Sequence, residues 1–188
     1  ILYMQKGTST PFETIEGRVS ISLEGKGTVS VGEYSITEGF GNTKVECGQD
    51  ATFTIMPDEG YKIDSVILNG EDITRQLDSN GRYTLSPVSS NISLRAVFKL
   101  LTYNLTVITR VGGSVTLLDS TISRRQAIFS VEHGSNVSVK ITCDEGKAVR
   151  SCKLNGTEIL PELQDGQYTI RDIKKATTLS VYYEAASS

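Results

Sequence analysis

Apolar and polar side chains alternate along most of this sequence, which is the pattern of half-buried β-strands. In Ala51-Thr52-Phe53-Thr54-Ile55, and again from Ile92 to Phe98, apolar residues recur at every second position. No long stretch places apolar residues at the helical spacings of three and four. The sequence therefore predicts a β-rich protein, with at most a turn or two of helix at Ile73–Leu77 and Ile159–Leu163.

The second half of the chain repeats the first. Gly27-Thr28-Val29 returns as Gly113-Ser114-Val115, and Leu68-Asn69-Gly70 returns at the same spacing as Leu154-Asn155-Gly156. After a single deletion the match continues towards the end of the chain. Because the shared positions are apolar residues or glycines, which we interpret as turn glycines, the pattern indicates a tandem duplication of one small domain.

Each copy is predicted to form about six short strands separated by Gly, Asn and Asp turns. Asn69-Gly70 and Asn155-Gly156 follow strand-like runs and are predicted to form type I′ hairpin turns. This favours an all-β fold of two tandem small β-domains, of sandwich or open-barrel type, with β-grasp-like α+β repeats as the alternative. In the first copy the strands are expected near 19–24, 28–36, 50–56, 62–68, 82–86 and 92–98. The predicted divisions are an N-terminal segment 1–18, a first β repeat 19–100 and a second β repeat 103–184.

One run of residues carries a family pattern. Thr54, Pro57, Gly60-Tyr61 and Asn69-Gly70 stand at fixed spacings, and a closing strand follows at Ile92–Phe98. This run resembles the divergent internalin-type (InlB-like) B-repeat family of bacterial surface proteins. The resemblance implies an exported, usually cell-surface, multi-repeat protein without enzymatic activity of its own.

The second copy departs from the family pattern at two positions. Cys143 stands where proline is usual, and Lys147 stands where the aromatic residue is usual. A function that depends on that aromatic residue would therefore be confined to the first copy.

The first nine residues, Ile1-Leu2-Tyr3-Met4-Gln5-Lys6-Gly7-Thr8-Ser9, carry a second resemblance. They are similar to the closing segment of BspA-like leucine-rich-repeat surface proteins, in which a strand is followed by a Lys-Gly-Ser/Thr turn. The resemblance implies that a ligand-binding leucine-rich-repeat region precedes these repeats. A first residue other than Met also leads us to expect a processed chain or a fragment of a longer one.

Charge and hydropathy narrow the set of partners. The formal net charge is −3 and the basic residues are not clustered, so we expect no binding to nucleic acid. No apolar run approaches the length of a membrane span, so we expect no direct membrane insertion of this segment. The expected partners are a host or cell-surface protein or glycan. The expected location is extracellular or at the cell surface, on an outer-membrane-anchored parent protein, or else periplasmic.

The three cysteines, Cys47, Cys143 and Cys152, lack the spacing of a zinc knuckle or a redox pair. Cys143 and Cys152 are predicted on neighbouring strands, so a disulfide between them is one reading. A tight hairpin through Asp144–Gly146 would place Cys143 nearer residue 148 than residue 152. Two buried structural thiols are therefore the favoured reading.

Two candidate catalytic or metal-binding groups have simpler explanations. His133 is the only histidine, and its counterpart in the first copy is Cys47, so the copies do not share a general base. The acidic pairs Asp58-Glu59 and Asp144-Glu145 precede glycine in predicted turns, where acids bond to nearby backbone, and they lack the spacing of a calcium loop. We expect no enzymatic activity, no metal and no cofactor.

Tyrosines are the remaining candidates for ligand contact, since the chain has eight Tyr and no Trp. Tyr83 and Tyr168 align between the copies and alternate with polar neighbours, which predicts that both lie in the core. Tyr34 and Tyr61 lie near predicted loop ends and remain as possible ligand contacts. The leading hypothesis is a non-catalytic cell-surface spacer or adhesion module, and the alternative is a carbohydrate- or protein-binding module that uses these two tyrosines.

Overall fold

A computed structural model describes residues 15–187 of the protein, and within these residues the chain divides into two compact β-units between Lys99 and Leu100. The first unit consists of β1 (Glu16–Glu24), β2 (Gly27–Val31), β3 (Tyr34–Ile36), β4 (Gly39–Glu46), β5 (Ala51–Pro57), β6 (Tyr61–Leu68), β7 (Glu71–Asp72), a 3-10 helix (Thr74–Gln76), β8 (Arg82–Leu85) and β9 (Ile92–Leu100). The second consists of β10 (Thr102–Thr109), β11 (Gly113–Leu117), β12 (Ser120–Ser123), β13 (Gln126–Glu132), β14 (Ser135–Cys143), β15 (Lys147–Leu154), β16 (Thr157–Glu158), a 3-10 helix (Leu160–Glu162), β17 (Gln167–Ile173) and β18 (Thr177–Ala185).

Both units have the same sheet topology. In the first, a five-stranded sheet has the order β4-β1-β9-β6-β7 and a four-stranded sheet has the order β3-β2-β5-β8. The second unit repeats these orders strand by strand as β13-β10-β18-β15-β16 and β12-β11-β14-β17. The first and last strands of each unit pair in parallel, with Ile21 opposite Leu94 and Val107 opposite Leu179. The duplication seen in the sequence is therefore a duplication of structure.

Each unit has a hydrophobic core of its own, formed by the inward-facing residues of its two sheets. In β5, the buried residues Ala51, Phe53 and Ile55 alternate with more exposed threonines, as the sequence pattern predicts. The largest fully buried side chains are Phe53, Ile21, Ile55, Ile73 and Leu94 in the first unit and Leu105, Leu117, Ile122 and Leu179 in the second. The prediction of an all-β fold with two tandem domains is confirmed, and the helix required by a β-grasp-like repeat is absent from residues 15–187.

Two aligned glycines have a role that the sequence did not indicate. Gly27 and Gly113 are the first residues of β2 and β11, so they are not turn glycines. A Cβ added to Gly27 would lie 2.6 Å from ring carbons of Phe98, and one added to Gly113 would overlap the ring of Tyr183. Phe98 and Tyr183 are equivalent residues of the closing strands β9 and β18. Each unit therefore packs an aromatic ring of its last strand directly on a glycine backbone.

The Asn-Gly turns are confirmed. Asn69 and Gly70 have φ angles of 50° and 83°, as a type I′ turn requires, and Asn155 and Gly156 have nearly the same values. The asparagine also binds the closing strand, because the Ser93 N–H donates to Asn69 Oδ1 at 2.8 Å while the Asn69 N–H donates to the Ser93 carbonyl. The second unit makes the same two bonds between Asn155 and Thr178.

These two roles of Asn69 are separable by mutation. Asn69→Gly keeps the backbone freedom and loses the side-chain acceptor, so we expect a loss of about 1 kcal/mol in the free energy of unfolding. Asn69→Ala loses both, and the left-handed backbone adds about 1–2 kcal/mol. Urea denaturation of both variants measures the difference. Equal stabilities of Asn69→Gly and the unaltered chain would show that the side-chain bond contributes nothing.

The structure corrects three details of the strand prediction. The strand expected at 28–36 is a hairpin, in which β2 and β3 are joined by a turn at Gly32-Glu33. β4 was not predicted, although it pairs with β1 over its whole length. The turn after Cys143 is not a hairpin, because it connects strands of different sheets, β14 to β15, and the turn after Pro57 likewise connects β5 to β6. The predicted short helical turns near Ile73 and Ile159 are confirmed as 3-10 helices.

Candidate functional site: two tyrosine grooves of the first unit

Tyr34 lies at the start of β3 and is half-buried against the first core. Its hydroxyl sits against Gly41 of β4, since a Cβ on that glycine would overlap it. Tyr34 lines a surface groove of about 710 Å³ together with Thr43, Lys44, Asp50 and Thr52. The ring is held by the glycine backbone on one side, and the groove presents hydroxyl groups and charges of both signs.

Tyr61 lies at the start of β6 and lines a different groove, of about 650 Å³. The turn from Asp58 positions it, because the Tyr61 N–H donates to the Asp58 carbonyl at 3.0 Å and Gly60 has the positive φ of a type II turn. Met56 stands beside it with 57% of its surface exposed. The two sequence-predicted tyrosines are thus both at grooves, but the structure does not bring them into one site.

Hydrogen bonds fix the far wall of the Tyr61 groove. The Asp78 carboxylate accepts the backbone N–H groups of Arg82 at 2.9 Å and Asn80 at 2.8 Å, and these bonds lower the pKa of Asp78. Asp72 accepts both the hydroxyl and the N–H of Thr74, which lowers the pKa of Asp72 in the same way. The loop around the 3-10 helix is therefore preorganised, and its carboxylates are already engaged with their own chain.

The second unit repeats neither tyrosine. Ser120 occupies the position of Tyr34, and Lys147 occupies that of Tyr61. Tyr83 and Tyr168, by contrast, are half-buried against the two cores, as the sequence predicted. A function that depends on Tyr34 or Tyr61 belongs to the first unit alone.

His133 is tied to a neighbouring tyrosine. Its Nδ1 lies 2.9 Å from the Tyr103 hydroxyl, and the two ring centroids are 5.8 Å apart. The backbone N–H of His133 donates to the Leu101 carbonyl. The acidic pairs Asp58-Glu59 and Asp144-Glu145 are exposed in turns, as predicted, but the bonds that close these turns join backbone atoms and not the acids' side chains. Within residues 15–187, His, Cys, Asp and Glu side chains form no cluster suited to a metal ion.

All three cysteines are free thiols. Cys152 is buried in the second core, whereas Cys143 is exposed at the end of β14, so the prediction of two buried thiols is wrong for Cys143. The two residues lie in different sheets, because the turn between their strands crosses from one sheet to the other. Burial, and then the charge of Glu158, raise the pKa of Cys152 to about 11.

These environments predict unequal thiol reactivity. At pH 8 about one Cys152 side chain in a thousand is a thiolate, and that sulfur is also shielded, so iodoacetamide is expected to modify Cys143 rapidly and Cys152 only on unfolding. Peptide mass spectrometry of a time course measures both rates, and Cys143→Ser should remove the fast phase. Modification of Cys152 in the folded chain as fast as that of Cys143 would contradict the buried position.

Two exposed side chains that line surface grooves were not predicted from the sequence. Met56 faces solvent between Ile55 and Pro57, where the alternating pattern requires a polar residue, and that departure is a detectable signal. Tyr182 of β18 is 38% exposed, and the Arg110 guanidinium carbon lies 6.0 Å from its ring centroid. Arg110 follows the end of β10, so this contact joins residues far apart in the chain and could not be predicted from local sequence.

The fold defines a tandem-repeat protein built from small two-sheet β-domains. Residues 15–187 contain no helix long and apolar enough to cross a membrane. Residues 18–101 match the divergent InlB B-repeat domain family. The first unit therefore belongs to that family, an all-β repeat domain of the type found in bacterial surface proteins, as the resemblance in the sequence implied. The leucine-rich-repeat resemblance of Ile1–Ser9 lies outside the described residues.

Likeness to individual proteins is weak. No curated protein matches the chain. The chain is similar to the Bacillus anthracis TIE protein at 9% identity and a TM-score of 0.46, covering 88% of this chain and 33% of that one. It is similar to the major pilin protein (T-13) of Streptococcus pyogenes at 11% identity and a TM-score of 0.37, covering 91% and 97% of the two chains. The chain thus spans about a third of the TIE chain, and these scores carry no functional information.

Proposed function

We propose that this chain is a non-catalytic repeat module of a bacterial cell-surface protein, and that it acts as a spacer or adhesion element. The observation that carries the proposal is that one architecture, with its own core, occurs twice in tandem with identical strand order. Exposed or groove-lining residues at equivalent positions differ, as Tyr61 and Lys147 do. Repetition of the core with a variable surface suits a role set by the number of units.

The proposed location is extracellular or at the cell surface, on a parent protein anchored in the outer membrane, with the periplasm as the alternative. Family membership of the first unit supports this location. Protease treatment of intact cells that produce the parent protein tests it. Digestion of the repeats without lysis is the expected result, and protection until the outer membrane is opened would favour the periplasm.

The spacer role is testable by varying the number of modules. An epitope is placed before none, one or two copies of the chain, each anchored to a cell surface through its C-terminal end. Antibody binding to the epitope is expected to rise with copy number and to be insensitive to Tyr34→Ala and Tyr61→Ala. Binding that does not change with copy number would contradict a spacer.

A carbohydrate- or protein-binding role is the second candidate, and the grooves at Tyr34 and Tyr61 favour it. Aromatic side chains supply contact area at low entropic cost. A glycan array and binding to host-cell surfaces test this role. Binding that falls about tenfold in Tyr61→Ala, as expected for one lost aromatic contact, while Tyr83→Phe binds normally, would support it over a pure spacer.

We also propose that the chain has no enzymatic activity. The engagement of His133 Nδ1 by the Tyr103 hydroxyl supports this. A broad screen for hydrolase activity, with His133→Ala as the control, tests it. Turnover that the chain shows and that His133→Ala abolishes would overturn the proposal.

A further inference from the structure

The outer face of the five-stranded sheet is electrically balanced in the first unit. Arg95 pairs with Glu24 at 2.8 Å, which joins β9 to β1. Lys99 pairs with Asp64 at 3.1 Å, which joins β9 to β6. Each cation on the closing strand is thus matched by a carboxylate on a neighbouring strand.

The second unit reverses this arrangement. Arg110 occupies the position of Glu24, and Arg150 occupies the position of Asp64. The cation at Arg95 is replaced by Ser180. The second unit therefore has arginine at both positions where the first unit has a carboxylate next to the closing strand. The residue that replaces the partner of the first carboxylate, Ser180, is uncharged.

An exposed aromatic residue completes this face. Tyr182 stands at the position of Val97 in the first unit, and the Arg110 guanidinium lies over its ring. A pocket of about 350 Å³ lies beside the ring. It is lined by Arg150, Ser151, Lys153, Gly156, Ser180 and Tyr182. Arg110 thus lies over the Tyr182 ring, and two further cations, Arg150 and Lys153, line the pocket beside it.

Two acids lie near this cluster. Glu184 occupies the position of Lys99, the partner of Asp64 in the first unit, and Glu158 lies opposite Lys153 on β16. The Glu158 carboxylate already accepts bonds from the Ser151 hydroxyl and two backbone N–H groups. The ion pairs found within residues 15–187 include none of the three cations. Within the described residues, no ion pair therefore holds the N–H donors of these three cations, and the donors can bind an anion.

We propose that this face of the second unit binds an acidic glycan, one that carries carboxylate or sulfate groups on its sugar rings. The Tyr182 ring stacks on a pyranose ring, and Arg110 and Arg150 bind the anionic groups through paired N–H donors. Nucleic acid is disfavoured, since duplex binding commonly engages about 6–10 phosphates and the chain carries a net charge of −3. Glycan binding would be a function beyond that of a spacer. It rests on the proposed surface location only in that the protein would meet such a glycan there.

Calorimetry with the full chain tests the proposal. The probes are an oligogalacturonate, a heparin-derived hexasaccharide, neutral maltohexaose and single-stranded DNA. We expect one of the two acidic glycans to bind, with an affinity that falls as salt rises. Arg110→Glu with Arg150→Asp restores the acids of the first unit and should weaken binding about 100-fold, because each charge-assisted bond is worth about one factor of ten. Tyr182→Val should weaken it about tenfold.

The matched control is Lys140→Glu with Arg171→Asp, which makes the same charge change on exposed positions of the other sheet of this unit. Its binding should stay within about twofold of the unaltered chain, as expected for a rim charge screened by salt. Absence of binding by both acidic glycans, equal binding of maltohexaose, tighter binding of DNA, or equal losses in the control would each overturn the proposal. None of these outcomes affects the epitope experiment on the spacer role.

Discussion

Replacing Phe53 with alanine is expected to lower the free energy of unfolding of the first unit by about 3–5 kcal/mol, the usual cost of emptying a buried phenylalanine site. Phe53 is 0% exposed and belongs to β5 of the four-stranded sheet, where it packs in the core shared with the five-stranded sheet. Hydrogen exchange of amides in β2 and β5 measures the loss.

The control for this variant is Phe40→Ala, which removes the same side chain from the same unit. Phe40 is 65% exposed on β4, so its loss should change the free energy of unfolding by less than about 0.5 kcal/mol. Amides of the second unit, whose core is a separate cluster, should keep their protection in both variants. Equal losses in Phe53→Ala and Phe40→Ala, or a matching loss in the second unit, would contradict the assignment of the cores.

Replacing Gly27 with alanine is expected to destabilise the first unit by about 2–3 kcal/mol through overpacking. The new methyl group would lie 2.6 Å from Phe98 Cε2 and Cζ and 2.7 Å from the Met56 carbonyl oxygen. The carbonyl belongs to the strand paired with β2 and cannot withdraw. The aromatic ring must therefore move out of the core, and thermal denaturation should report the cost.

Gly32→Ala is the matched control, since Gly32 follows the other end of the same strand. No atom lies within 4 Å of a Cβ added there, and only its φ of 57° opposes the change. That backbone conformation costs alanine about 1–2 kcal/mol. A Gly32→Ala variant less stable than Gly27→Ala would mean that the packing of Phe98 on Gly27 contributes little.

The periodicity of the sequence was sufficient to predict the β fold, the duplication and the Asn-Gly turns, because each depends on local residue patterns. It failed at β4, where Phe40 faces solvent and Gly41 faces inward. Tyr34 from β3 lies against Gly41, so the inward position has no room for a side chain. The usual relation between apolar character and burial is thus inverted by a residue on another strand, which a local pattern cannot show.

The candidate sites, like the fold, could be predicted from the sequence only in part. Tyr34 and Tyr61 could be singled out because both lie near predicted loop ends, and the structure places both at grooves. One wall of the Tyr61 groove is the loop held by Asp72 and Asp78, which only the folded chain reveals. Tyr182 was not singled out, because the arginines near it, Arg110 just after β10 and Arg150 on β15, are distant from it in sequence.

Methyl NOE spectroscopy of the full chain tests most directly the claim that two equivalent units each close their own core. Two separate cores require NOEs between Ile21 and Leu94 and between Val107 and Leu179, the equivalent parallel pairs of the first and last strands. NOEs that join Ile21 to Leu179 or Val107 to Leu94 would show one interwoven core and contradict it.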